Sequence, residues 1–430
     1  MVSRLHCWLS GAAAVVATAA LCCAVAAPPA SATAAPIKIG FSMPLTGPYA
    51  VSGKQALIAM KLWEDDINAQ GGLLHRPVQL DYYDDQSNPA NVSSIYTKLI
   101  DVDHVELVVS PYGTVLTAPS LPIVMAHNMV EISLVALNVN SHFHYPRYFA
   151  PVATGADPII DFSKGWFNVM MRQNPKPKTL ALITADQEFA AQNLAGALVN
   201  AKKAGLKIVY NGTYPPTTVD FSSIIRAAKA TNPDLVYIAS YPPDSLGLAR
   251  AAHEADFTPK GIGGAMVGLQ ITNIQEELGP ILNGYTAFAA WEPLKPMMYP
   301  GVMHMLDRYQ AKAKGQGVDP LGYFLAPAAY AYVQIMGEAV EGAGTLDQAK
   351  LADYIHTHSF ETVDGKFTFD KDGNAIEDRL LQVQYHGITG SGIDQFKDPN
   401  HITIVAPPDL KTGNLIYPYA KALTAAADQK

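Results

Sequence analysis

Cysteine is scarce: the 430 residues hold three, Cys7, Cys22 and Cys23, all near the amino terminus. A chain that loses this segment keeps none, and can work in an oxidising compartment without disulfides. The residues before Cys22 and Cys23 are Leu21 and Cys22, which do not form the small-residue site that lipid attachment needs. Charge is sparse as well, at 16% of residues, with 38 acids against 30 bases and a formal charge of −8. Loss of Arg4 with the leader takes it to −9. No Lys/Arg cluster interrupts this balance, which argues against nucleic acid and against anionic lipid surfaces as partners. Past the leader no apolar run reaches the ~18 residues that span a bilayer. The longest, 323–340, contains Pro327, Gln334 and Glu338.

Catalytic signatures are missing too. The first strand runs into Gly40-Phe-Ser-Met-Pro-Leu-Thr-Gly47, with neither a dinucleotide fingerprint nor a phosphate loop, and the chain holds no nucleophile elbow or His-Glu-x-x-His zinc motif. His142 and His144, with His127 upstream, have metal-ligand chemistry but read as solvated loop residues, so no metal or cofactor is expected. Asp370-Lys-Asp372-Gly-Asn374 opens like a calcium loop, yet Leu381 stands where the bidentate Glu is required. Asp-Gly there predicts a hairpin turn between Phe369 and Ile376. The tandem acids Glu64, Asp65 and Asp66 read as a solvated helix face. The expectation is a binding protein and not an enzyme.

What is present begins with a leader: Arg4, an apolar run over 12–27, then Ala24-Val25-Ala26 and Ala32-Thr33-Ala34. That order reads as a cleavable secretory signal over 1–34. The remainder is long enough for about two domains. Its apolar share of 49% supplies a full core. Short apolar runs alternate with helical stretches, the pattern of parallel strands joined by crossover helices. Strands are predicted at 37–45, 78–84, 106–110 and 130–135, with helices over 55–70 and 91–102 and another between the last two strands. Continuous apolar runs such as Leu107-Val108-Val109 suit strands covered on both faces.

The pattern restarts at 179–185 (strand), 188–204 (helix), 206–210 (strand), 221–230 (helix), 234–240 (strand), 245–256 (helix), 261–267 and 284–290 (strands). Two series with a junction near 149–157 predict an α/β protein of two Rossmann-like lobes with parallel sheets, joined by a multi-strand hinge. The first lobe is assigned 35–152, completed by about 295–350, including helices over 300–314 and 321–343. The second takes 153–294, completed by about 351–390 with strands near 366–369 and 380–385, and leaves 391–430 as a C-terminal extension.

These residues resemble a known family. Ile37-Lys-Ile-Gly40, Pro44-Leu-Thr-Gly-Pro48, Gly53, Asp66-Ile-Asn68, Gln70-Gly-Gly72, Asp84-Asp-Gln86 and Gly365-Lys-Phe-Thr-Phe-Asp370 are together similar to the branched-chain amino acid, amide and aromatic-acid binding proteins of ABC importers, which have the type I periplasmic-binding-protein fold. The likeness runs along essentially the whole mature chain. It implies a periplasmic, monomeric binding component with ABC permease and ATPase partners in the membrane.

It also implies where the ligand sits. The loops that hold the ligand backbone in that family correspond to Pro111-Tyr112-Gly113-Thr114 and to Ser133 through Asn138, so Ala136, Leu137 and Asn138 join the candidates. A hydroxyl beside backbone N–H groups at a helix start accepts a carboxylate, and Thr114 is the leading anchor, although a hydroxyl there also suits a helix N-cap. Phe189 and Tyr241 fall at the family's second-lobe aromatic positions; Tyr49 and Tyr112 lie on first-lobe loops, and Trp291 follows a strand. Amino-acid-binding members pair the ammonium with an acid just after a Gly-rich strand end. The matching stretch here, Gly263-Gly-Ala-Met266-Val-Gly268, has none. A buried ammonium without a counter-charge is costly, unless Asp186 or Glu188 supplies one. Aromatic rings with polarizable Met266 suit a flat apolar body bearing a carboxylate. The expected ligand is therefore a small organic acid, aromatic or aliphatic, without a free amine. The alternatives are a branched-chain amino acid or amide, and a sensor subunit that presents its ligand to a receptor.

Overall fold

A computed structural model describes residues 34–425; the leader expected at 1–34 lies almost wholly outside them. The first sheet is built from β1 (Ile37–Met43), β2 (Val78–Asp84), β3 (Leu107–Tyr112), β4 (Glu131–Leu134) and β5 (Tyr148–Phe149), in the order β2-β1-β3-β4-β5 and parallel throughout. Its crossovers are α1 (Ala50–Ala69), α2 (Pro89–Asp101) and the short pair α3 (Gly113–Thr117) and α4 (Leu121–Ala126). β2 covers the residues expected for it. α1 starts five residues earlier than expected, because Gly53 marks close packing and not a loop. A Cβ on Gly53 would lie 2.0 Å from the Pro44 carbonyl oxygen, so only glycine lets the helix start against the loop that follows β1. α2 begins where Asn88 accepts from the Ala90 N–H, with Pro89 opening the helix.

The second lobe repeats the plan. α5 (Pro158–Met171) leads into β6 (Thr179–Ala185), α6 (Glu188–Ala204), β7 (Lys207–Tyr214), α7 (Ser222–Ala230), β8 (Leu235–Ser240), α8 (Pro242–Glu254), β9 (Gly261–Met266), α9 (Thr272–Leu278) and β10 (Thr286–Ala289). The sheet runs β7-β6-β8-β9-β10, the strand order of the first, then continues through two late antiparallel strands. Gly263 adopts a φ of +136° and its absent Cβ would meet the Thr286 carbonyl at 1.8 Å, so the β9–β10 pairing needs glycine there. Trp166 of α5 is buried in this core and donates its indole N–H to Thr286 Oγ1 at 2.8 Å.

The chain then returns to the first lobe with α10 (Val302–Ala313), α11 (Ala326–Ala343), α12 (Gln348–Thr357) and a hairpin of β11 (Ser359–Thr362) and β12 (Gly365–Thr368). α10 and α11 pack on α1, and α12 and β11 on α11. Two of the tandem acids expected to face water, Asp65 and Asp66, dock these helices, and Glu64 holds β2. Asp66 accepts from Arg308 and from the Tyr330 hydroxyl at 2.9 Å, Asp65 pairs with Lys312 at 2.8 Å, and Glu64 accepts the Leu80 N–H at 2.8 Å. β13 (Leu381–Tyr385) and β14 (Ile402–Ala406) re-enter the second sheet. Two assignments therefore change: 351–368 belongs with the first lobe, and 391–425 carries a sheet strand instead of forming an extension.

Three passages connect the lobes. Two of them pair, through Ala150 with Asn374 and Thr154 with Asp378. Phe369 bridges Ala375 around Gly373, the expected turn. No helix among the described residues is long and apolar enough to cross a membrane.

Candidate functional site

Both sheets present the carboxyl ends of their strands to one cleft, with an open volume of about 720 Å³. Open parallel sheets bind ligands beyond those ends, beside the switch in strand order. Here each lobe supplies one switch, between β1 and β3 and between β6 and β8.

The first lobe contributes Tyr49 at the start of α1, Tyr112 ending β3, Gly113 and Thr114 opening α3, and Leu137 after β4. The second contributes Phe189 in the first turn of α6 and Tyr241 just after β8. These seven expected residues meet. Gly113 has a φ of +76°, the left-handed turn that brings the chain from β3 into α3. Thr114 is not the N-cap of that helix, which is Tyr112. The Thr114 hydroxyl, 3% exposed, instead accepts the Leu137 N–H at 2.9 Å and ties the two first-lobe loops together.

The rings enclose the cleft from both sides. Tyr49 lies 6.4 Å from Tyr112 and 5.9 Å from Tyr241 across the lobes, and its hydroxyl donates to Gln187 Oε1 at 3.4 Å. Phe189 meets Tyr241 edge-on at 5.9 Å, Phe162 meets Phe189 at 5.5 Å, and Phe162 meets Phe288 at 4.8 Å. Such arrangements add to area burial. Burial raises the hydroxyl pKa values of Tyr49, Tyr112 and Tyr241, so they remain neutral donors at neutral pH.

Four expected residues stand elsewhere. Ala136 is fully buried beside Leu137. Asn138 turns left-handed at a φ of 53° and donates to Ser141 Oγ at 3.1 Å. Met266 ends β9 inside the core while the next residue, Val267, lines the cleft. Trp291 is buried, donates its indole N–H to the Met297 carbonyl at 2.7 Å and packs on Tyr323, while Ala290 before it faces the cleft. The last two are one-residue slips at strand ends, where successive side chains point to opposite sides.

Val135, within the loop expected to hold the ligand, also lines the cleft, whereas sequence reasoning missed Val115, Val152, Phe162, Phe288, Phe324 and Leu380. Phe162 sits on α5, a helix with no expected counterpart, and the others are apolar residues with no local mark distinguishing wall from core. Among the described residues no Asp, Glu, Lys or Arg lines the cleft. Asp244 accepts from the Tyr214 hydroxyl at 3.0 Å and the Tyr241 N–H at 3.2 Å. Glu188 is half-buried, its pKa raised by desolvation against the pull of His142, and lies outside the lining. Among the described residues no group of three or more His, Cys, Asp or Glu is placed to hold a metal. His142 and His144 are exposed, and His127 pairs with Asp101 at 2.9 Å.

Two doubly wound lobes joined by three passages frame an aromatic cleft to which both lobes contribute. Residues 36–387 match the model of the periplasmic binding protein family. The chain belongs to that family, within its leucine-binding-protein-like type I branch, whose members are periplasmic solute-binding proteins of ABC transporters. A leucine-, isoleucine-, valine-, threonine- and alanine-binding protein of Pseudomonas aeruginosa is 26% identical over 359 residues, covering 83% of this chain and 91% of the relative. The isoleucine complex of a Streptococcus pneumoniae branched-chain amino acid binding protein superposes with a TM-score of 0.70 at 20% identity, covering 83% of this chain and 97% of that one. A Rhodopseudomonas palustris solute-binding protein in complex with 3,4-dihydroxybenzoic acid gives 0.66 at 18% identity, covering 88% and 95%.

Proposed function

We propose that this chain is the periplasmic component of an ABC importer that binds a small organic acid, aromatic or aliphatic, lacking a free amine, and delivers it to permease and ATPase subunits. One observation carries the reading: among the described residues the lining is rings and aliphatic side chains with neutral hydroxyls and no carboxylate. An ammonium brought there would lose its hydration without a counter-charge. A carboxylate keeps hydrogen-bond donors in the Thr114, Tyr112 and Tyr241 hydroxyls, and a flat body keeps the rings of Tyr49, Tyr241 and Phe189. Closure follows because a ligand touching both lobes stabilises the state in which the lobes meet.

The amino-acid alternative draws support from the Pseudomonas relative, and would need Glu188 or Asp186 to move to the cleft. A thermal-shift screen of the full chain separates the two readings. Ligand at ~100 times its Kd adds about 2.7 kcal/mol, enough to raise Tm measurably. A shift with benzoates, phenylpropenoates or short fatty acids and none with leucine or valine is expected. A shift with branched-chain amino acids alone would overturn the reading.

A further inference from the structure

Behind the cleft, on the second-lobe side, lies a smaller pocket of about 360 Å³ that shares no lining residue with it. The two spaces divide the same three segments between them. In the turn after β9, Val267 faces the cleft and Gln270 the pocket; after β10, Ala290 and Glu292 divide likewise, as do Phe324 and Tyr323 ahead of α11. The stretch before β14 forms a half-buried rim with Gln395, Phe396 and Asp398. Glu292 is 7% exposed, and among the described residues nothing bonds or pairs with its carboxylate. Its oxygens open on the pocket, unlike the sealed amide of Gln270 in the same wall. Gln275, also 7% exposed, uses its amide nitrogen to donate to the Leu269 carbonyl at 2.8 Å and the Tyr385 hydroxyl at 3.2 Å. That fixes the amide and leaves its Oε1 as a second acceptor with no donor of its own.

Acceptors this deep, one of them a carboxylate, ask for a ligand that brings both donors and positive charge. An anion would meet Glu292 and Asp398, and a neutral donor would leave the carboxylate without a counter-charge. No Lys or Arg among the described residues lines the pocket to supply one. A divalent metal wants a fuller shell of ligands, and among the described residues no group of three or more His, Cys, Asp or Glu is placed to give it. The rings of Tyr323, Tyr385 and Phe396 line the rest of the wall, and aromatic faces attract organic cations. We propose that this pocket is a second binding site, separate from the cleft, for the head of a small primary ammonium, whose N–H groups go to Glu292 and Gln275 while Asp398 supplies charge at the rim. The assignment stands whichever ligand the cleft takes.

A proton marks the event. Desolvation lifts Glu292 to about 8 in the empty pocket, and the other ionisable groups facing it are Asp398, His401 and the hydroxyls of Tyr323 and Tyr385. An ammonium that enters near neutral pH therefore displaces the proton Glu292 holds. The test is calorimetric titration of the full chain at neutral pH with methylammonium chloride, at fixed ionic strength, in two buffers of different ionisation heat. Saturable one-site binding with release of most of a proton per cation is expected. Tetramethylammonium, which has no N–H, and potassium should each bind about tenfold more weakly or worse. Glu292→Gln should lower methylammonium affinity about tenfold or more and abolish the proton release, while whichever acid or amino acid fills the cleft keeps its affinity. Asp398→Asn, at the solvated rim, should cost about two- to threefold, and melting curves confirm that both variants fold. Absence of saturable binding, equal binding of potassium, or an affinity and a proton release that survive Glu292→Gln would overturn the site.

Discussion

A single hydroxyl at Thr114 serves both architecture and recognition. Its oxygen accepts the Leu137 N–H, which leaves its hydrogen free for a ligand oxygen in the cleft. Thr114→Val removes both contacts at nearly constant shape. Affinity for the cognate acid should fall about tenfold or more, with Tm lowered by a few degrees at most, because one buried N–H loses its acceptor. Thr114→Ser should restore both. Unchanged affinity in the valine variant, measured by titration, would remove Thr114 from the site. The sequence made this residue legible because its loop matched a family motif, whereas Phe162 and Phe288 carried no such mark. The slips at Met266 and Trp291 have another cause. A strand's last pleat decides which neighbour faces the cleft, and a strand end is hard to place to one residue.

Elements were read well where their boundaries had chemical marks and poorly where they did not. The strand over Thr179–Ala185 and the helix over Glu188–Ala204 match residue for residue, the helix closing on left-handed Gly205. α5 went unseen, although Asp157 caps it by accepting the Ile160 N–H at 3.1 Å, since its apolar and aromatic run is interrupted by Gly165 and abuts the lobe junction. The acids of α1 were read as solvated because their partners, Arg308, Lys312 and Tyr330, lie more than 240 residues away in sequence. The clamp can be graded. Asp66 is partly buried with two partners, so Asp66→Asn should cost about 1–3 kcal/mol. Asp65, whose pair with Lys312 is exposed, should cost less than about 0.5 kcal/mol as Asp65→Asn. Urea midpoints of the two variants check the ranking, and equal losses would mean that Asp66 does not anchor α10 and α11.

At the scale of the whole molecule, each sheet region buries a proton. Desolvation lifts Glu131, at the start of β4, and Glu292, just past β10, to about 8. An unfolded chain releases those protons near pH 4.3. Between that pH and about 8 the folded state holds protons the unfolded state has lost, so stability falls as pH rises through the window and levels off above it. Asp84 and Asp234, held below the ordinary carboxylate range by their hydrogen bonds, act in the opposite sense only in more acidic solution. The urea midpoint should therefore be lower at pH 8.5 than at pH 6, and Glu131→Gln should flatten the slope; a wild-type midpoint that rises over this range would contradict both assignments. The two-lobe plan itself was legible, because two βαβ series are a strong and repeated signal. The ownership of the last hundred residues was not, since neither α12 nor β14 says locally which sheet it joins. That late return has a consequence for the order of birth. α11 covers the first sheet beside α1, yet it is made some two hundred residues after β4. A growing chain thus carries a partly covered apolar sheet face while some two hundred further residues are made, and the first lobe cannot finish before the second has been made.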